Sequence, residues 1–105
     1  EHDDGPILIQ LAYLIEPDKR DEFLRAIAEM EPIRLRYGAI SWRVFRDLEE
    51  EGRFVERFII GSYGDYMRLR ARMTQTDREA QDDVDRLQRA GDPIRISRLI
   101  GIDPK

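Results

Sequence analysis

Few side chains in this sequence have the chemistry to run a reaction unaided. The only histidine is His2, in a polar N-terminal stretch, and there is no cysteine. Triads, thiolate nucleophiles and ordinary zinc sites need His or Cys in the domain body, so neither a catalytic residue nor a metal site is expected. No glycine-rich phosphate loop occurs. Asp82 and Asp83 are neighbours that diverge on a helix, which does not make an acid–base pair. The run Glu49-Glu50-Glu51 reads as a solvated turn. What remains is an aromatic and arginine set: Tyr13, Trp42, Phe45, Phe58, Tyr63, Tyr66, Arg70 and Arg98. Such residues line apolar small-molecule pockets that have a few polar handles. Tyr13, Trp42, Tyr66, Arg70 and Arg98 form the candidate ligand-binding set. The plainer reading assigns Trp42 and the phenylalanines to the core or a dimer interface. Arg98 stands among isoleucines and is expected to pair with Glu56 or another carboxylate, because an unpaired buried charge is costly. Arg68, Arg70 and Arg72 lie close to Asp65, Asp77 and Glu79, so they read as a solvated helix face rather than a basic stripe.

The elements that must position these residues follow from composition and period. The chain has 105 residues, 41% hydrophobic and 38% charged, with a net charge of −4. That suits one domain with its own core. The mild acidity argues against a nucleic-acid partner. No run approaches the roughly 18 apolar residues of a membrane span. The lack of cysteine is compatible with an intracellular setting. Of the basic residues, 16 are arginine and two are lysine, which favours fixed pairing with carboxylates; a GC-rich genome gives the same bias. The chain starts at Glu1 rather than Met, as a fragment of a longer protein would.

Residues 6–15 are β-branched and aromatic and apolar on both faces, which predicts a strand covered on both sides. Pro17, with Asp18, Asp21 and Glu22, opens a helix whose apolar positions are Phe23, Leu24, Ile27, Met30, Ile33 and Leu35. Pro32 should kink or split it near Met30, and Gly38 should end it. Residues 39–48 and 53–62 predict a hairpin, with Ile40, Trp42 and Val44 on one face of its first strand. In its second strand Glu56 shares a face with Phe54, Phe58 and Ile60. A helix then opens at Ser62 or Asp65. Thr76-Asp77-Arg78-Glu79 has the capping-box pattern for a further surface helix carrying Ala80, Val84 and Leu87. Gly91-Asp92-Pro93 ends it, and residues 94–102 alternate as a last strand. The order β-α-β-β-α-β predicts an α+β, ferredoxin-like fold with a four-stranded antiparallel sheet and helices on one face. The other face is too apolar to stay wet, and a dimer stacking two such faces would cover it.

The segments IEPDKRDEFL (15–24), IRLRYGA (33–39), SWRVFRDL (41–48) and RFVERF (53–58) resemble the antibiotic-biosynthesis-monooxygenase-like domain. With GSYGDYMRLRARMT (61–74) and PIRISRLI (93–100), they are most similar to the soluble C-terminal extension of bacterial major-facilitator transporters, the transmembrane secretion effectors. The resemblance spans nearly the whole chain. It implies a dimeric α+β barrel and a non-catalytic cytoplasmic accessory domain of an exporter, at the cytoplasmic face of the inner membrane. That domain would dimerise, and would sense a small hydrophobic or aromatic ligand. The membrane would be reached only through an upstream transporter region. The wider superfamily includes cofactor-free monooxygenases and haem-degrading enzymes, which often carry a histidine on the helix after the third strand. This sequence has Tyr66 and Arg70 where the extension's usual pattern has histidine, so no haem or other cofactor is expected. The alternative is a stand-alone cofactor-free monooxygenase-like enzyme acting on an aromatic or polyketide-type substrate. A dimerisation module with no ligand is the plainest of the three.

Overall fold

The computed structural model describes residues 5–70 and 73–105, with Arg70 as backbone alone. His2 and Arg72 therefore lie outside the described residues. Strand β1 (Ile7–Leu14) is followed by a 3-10 turn (Pro17–Lys19) and helices α1 (Arg20–Ala28) and α2 (Met30–Arg36). Then come β2 (Ala39–Arg46), β3 (Arg53–Ile60), α3 (Tyr63–Arg70), α4 (Gln75–Asp85) and β4 (Arg95–Ile100). The sheet order is β2-β3-β1-β4, antiparallel throughout, which is the ferredoxin-like arrangement.

Pro32 accounts for the helix break. α1 ends at Ala28 and α2 begins at Met30, which places Pro32 in a first turn, where its missing N–H would have no helical partner anyway. Phe23, Ile27, Met30 and Ile33 are buried beneath these helices, whereas Leu35 is exposed and falls off the predicted stripe. The hairpin turn is closed by Asp47, whose Oδ1 accepts the backbone N–H of Glu49 at 2.7 Å and of Glu50 at 2.9 Å. Gly52 then runs at φ +86°, and a Cβ there would come within 2.6 Å of the Ile15 carbonyl oxygen. Only glycine satisfies both conditions.

Two sequence expectations are corrected here. The capping box lies two residues earlier than predicted. Thr74 Oγ1 accepts the Asp77 N–H at 3.0 Å, and Asp77 Oδ2 accepts the Thr74 N–H at 3.2 Å, so the helix starts at Gln75 and Thr76 is inside it. Aspartate fills the role for which Glu79 was expected. Along β2, Ile40 does not share a face with Trp42 and Val44. The register slips between Ala39 and Ser41, so Ala39 takes the buried position and Ile40 is left 70% exposed.

The helices cover one face only. On that side the register sets Trp42, Phe58, Ile9 and Arg98 in one row, and Val44, Glu56, Leu11 and Ile96 in the next. On the open side, Ser41, Ile59, Leu8 and Leu99 form a row, and Phe45, Val55, Ala12 and Arg95 another. Between them run Arg43, Arg57, Gln10 and Ser97, with Arg43 directly opposite Arg57.

Candidate functional site

The middle of β3 puts Glu56 on the helix side, because its neighbours at two-residue spacing are Phe54 and Phe58. Its side chain has no exposed surface, and Arg34 answers it from α2. Arg34 Nε donates to Oε2 at 2.8 Å and a guanidinium NH2 donates to Oε1 at 3.0 Å, the bidentate fork that suits guanidinium and carboxylate. Trp42 Nε1–H donates to Oε2 at 2.8 Å from the adjacent strand. Arg34 also donates to Gln81 Oε1 at 2.7 Å and lies over the Phe58 ring, 4.7 Å from its centroid. Gln81, on α4, gives its amide N–H to the Tyr13 hydroxyl at 3.2 Å and to Asp85 Oδ1 at 2.8 Å. The expected Arg98–Glu56 pair does not form. Arg34 occupies both carboxylate oxygens, and Arg98 lies on the edge strand β4, every residue of which is exposed.

Burial pushes the Tyr13 hydroxyl well above its ordinary range, and the charges of Glu56 and Asp85 push it the same way. Burial also raises the Asp85 carboxyl. Asp77 moves in the opposite direction. The Tyr37 hydroxyl donates to it, followed by Arg36 at 2.5 Å and by the Thr74 cap, and together they hold its carboxyl well below the usual range. These contacts tie the end of α2 to the start of α4.

Next to the Glu56 network lies a slot between α3 and the β1–β4 half of the sheet. One chamber, of about 250 Å³, is lined by Ile9, Leu11, Phe58, Leu69, Met73 and Ile96, with Arg34 and Gln81 forming its polar wall. A second chamber, of about 440 Å³, is lined by Ile7, Tyr63, Leu99 and Ile100. Tyr66 and Arg98 line both. Tyr66 is buried, with its ring 6.2 Å from that of Tyr63. Apolar walls with a few convergent polar groups are the usual make-up of a ligand cleft. A larger concavity of about 820 Å³ lies at the hairpin end. There Arg20, Arg46 and Arg89 alternate with Glu16, Asp47 and Glu49, so it presents no single charge to a ligand.

Of the five candidate residues, Tyr66 and Arg98 meet in the slot. Tyr13 is fully buried behind Gln81, and the indole of Trp42 is committed to Glu56, one sheet row away. The Arg70 side chain lies outside the described residues. Sequence reasoning missed Arg34 and Gln81. The signal for Arg34 was a basic residue between Ile33 and Leu35, four residues after the buried Met30; for Gln81 there was none.

Several solved structures share this fold. An antibiotic biosynthesis monooxygenase, so described, from Caulobacter crescentus matches with a TM-score of 0.79 at 15% identity, covering 97% of this chain and 94% of that one. A Nitrosomonas europaea protein of the same description matches at 0.75 and 16% identity, covering 96% and 94%. Rv0793 from Mycobacterium tuberculosis matches at 0.73 and 18% identity, covering 94% and 97%. At these identities the likeness concerns the fold alone. No curated protein matches the sequence. The sequence profile of the transmembrane secretion effectors, in contrast, matches residues 1–105, which include both the slot and the open sheet face. The chain belongs to the transmembrane secretion effector family.

Proposed function

We propose that this domain is a non-catalytic accessory module of a major-facilitator-type exporter. In this reading it dimerises through the open face of its sheet at the cytoplasmic side of the membrane and holds a small hydrophobic or aromatic ligand in the slot beside Tyr66 and Arg98. The observation that carries the reading is the uncovered apolar face. Leu99, 51% exposed, forms one apolar row there with the half-buried Leu8 and Ile59, and Phe45, 43% exposed, forms a second with the half-buried Val55, on either side of the polar row of Arg43, Arg57, Gln10 and Ser97. A patch of that kind marks an association surface. The family assignment supports the exporter reading; no helix among the described residues is long and apolar enough to cross a membrane, so the reading places the spans elsewhere in the parent protein.

Sedimentation at micromolar concentration tests the dimer: the wild type should run as a dimer and Phe45→Arg, on the open face and away from the slot, as a monomer. A monomeric wild type removes the dimer from the proposal. The parent reading frame tests the exporter. Membrane-spanning segments of about 20 apolar residues upstream of Glu1 support it, and a free-standing frame sinks it.

A second reading, a cofactor-free monooxygenase-like enzyme acting on an aromatic or polyketide-type substrate, is favoured by the descriptions of the structural neighbours. Oxygen uptake with anthrone-like compounds would establish it, and no uptake with any of them would remove it.

A further inference from the structure

Among the described residues, Arg98 is the slot cation that forms no ion pair. Arg34 also lines the slot, but the Glu56 carboxylate neutralises it. Arg98 forms no ion pair with any described residue. It lies opposite Ile9 in the register, with Ile96 and Ile100 on the same face of its own strand. Both chambers open onto it. A guanidinium set among aliphatic side chains gains little from an apolar ligand alone and much from an anion with an apolar body.

We infer that the slot selects amphipathic monoanions, an aromatic or aliphatic carboxylate whose head group takes the Arg98 fork while its apolar part fills the chambers beside Tyr66. The inference rests on the slot being a ligand site. It goes beyond that reading by fixing the charge, the number of charged groups and the anchoring residue. Two features limit the ligand to one charge. Among the described residues, the other cation of the slot is already spent on Glu56, and the rest of the lining is aliphatic, aromatic or amide. A dianion would have to bury a second charge without a partner. The second chamber falls in the size range of ordinary small-ligand pockets, and the first lies just below it.

The test uses the full chain and three isosteric naphthalene probes: 2-naphthoate, 2-naphthamide and naphthalene-2,6-dicarboxylate, titrated by calorimetry. The wild type should bind 2-naphthoate best. Arg98→Gln should weaken it about 10- to 100-fold, the scale of a lost charge-assisted hydrogen-bonded pair, while binding of the amide stays unchanged. Arg98→Lys should restore part of the affinity, because it keeps the charge but not the fork. Arg98 is exposed on an edge strand, so these variants should fold, and their circular dichroism and sedimentation are recorded on the same samples. Equal binding of naphthoate and amide, tighter binding of the dicarboxylate, or no effect of Arg98→Gln overturns the monoanion inference. No binding of any probe overturns the ligand site as well. A monomer that still prefers naphthoate counts against the dimer alone.

Discussion

Arg34→Met is the sharpest test of how this core is held together. The substitution preserves the bulk of the side chain but removes both donors to Glu56, a carboxylate with no exposed surface. Trp42 Nε1–H then remains as its only partner from the present network. Leaving one member of a buried pair uncompensated costs about 3–5 kcal/mol. The whole domain is expected to have only about 5–15 kcal/mol of stability. With a urea dependence of about 1–3 kcal/mol per molar, the unfolding midpoint should fall by about 1–5 M. Glu56→Gln in the Arg34→Met background is the decisive second step. Glutamine can still accept the Trp42 indole N–H, and no buried charge remains, so the double variant should be more stable than Arg34→Met alone. Urea unfolding followed by circular dichroism on the four members of the cycle reads the coupling directly. If Glu56→Gln brings no recovery in the Arg34→Met background, the charge at Glu56 is not what Arg34 stabilises and the reasoning fails.

Further outcomes can be checked with the same material. Asp77 has a depressed folded-state pKa, so its contribution to stability is present above about pH 4, its unfolded value, and is lost as pH falls toward the lower folded value. Thermal melts should therefore lose stability below pH 4 more steeply in the wild type than in Asp77→Asn. Tyr13 has a raised folded-state pKa, so its contribution is complete below about pH 10 and is lost as pH rises beyond that; Tyr13→Phe should remove this alkaline component of the melting curve. Gly52→Ala meets both a positive φ and the Ile15 carbonyl oxygen, and should destabilise the hairpin by more than the roughly 1 kcal/mol of an ordinary glycine replacement. The Arg43–Arg57 contact across the open face is a like-charge pair. Raising the salt from about 0.1 M to 1 M shortens the screening length from about 10 Å to 3 Å and should tighten the proposed dimer, as read by sedimentation.

The strands, the hairpin and the division between α1 and α2 were legible because each rests on local physics: side-chain alternation, a turn with glycine, and a proline that cannot sit in mid-helix. The burial of Glu56 was legible too, since Phe54 and Phe58 flank it at strand spacing. Its partner was not. Arg34 belongs to a helix whose rotation is set by Met30 and Ile33 entering the core, and no local pattern encodes that rotation. The capping box was misplaced because Thr74 and Thr76 both precede an acid by three residues, and the spacing alone does not choose between them. The slip at Ile40 has no local signal at all. It comes from matching Ala39 to Ile60 and Trp42 to Phe58 at the same time. Within the site, the residue types foretold aromatic walls and an arginine, but not that the arginine would stand apart from the buried carboxylate.

The junction of the first and last strands has a mechanical consequence. Gly101 N–H donates to the Pro6 carbonyl at 2.8 Å, and a Cβ on Gly5 would strike the Gly101 oxygen at 2.3 Å, so the ends of the sheet leave from one corner in close contact. A pull applied through both ends would open the β1–β4 ladder one hydrogen bond at a time, like a zipper, rather than shearing all of them together. A pull through one end alone would pass no tension across the sheet. Anchored by a single tether, the domain would pivot about that corner as a rigid body while its slot and its open face kept their shape.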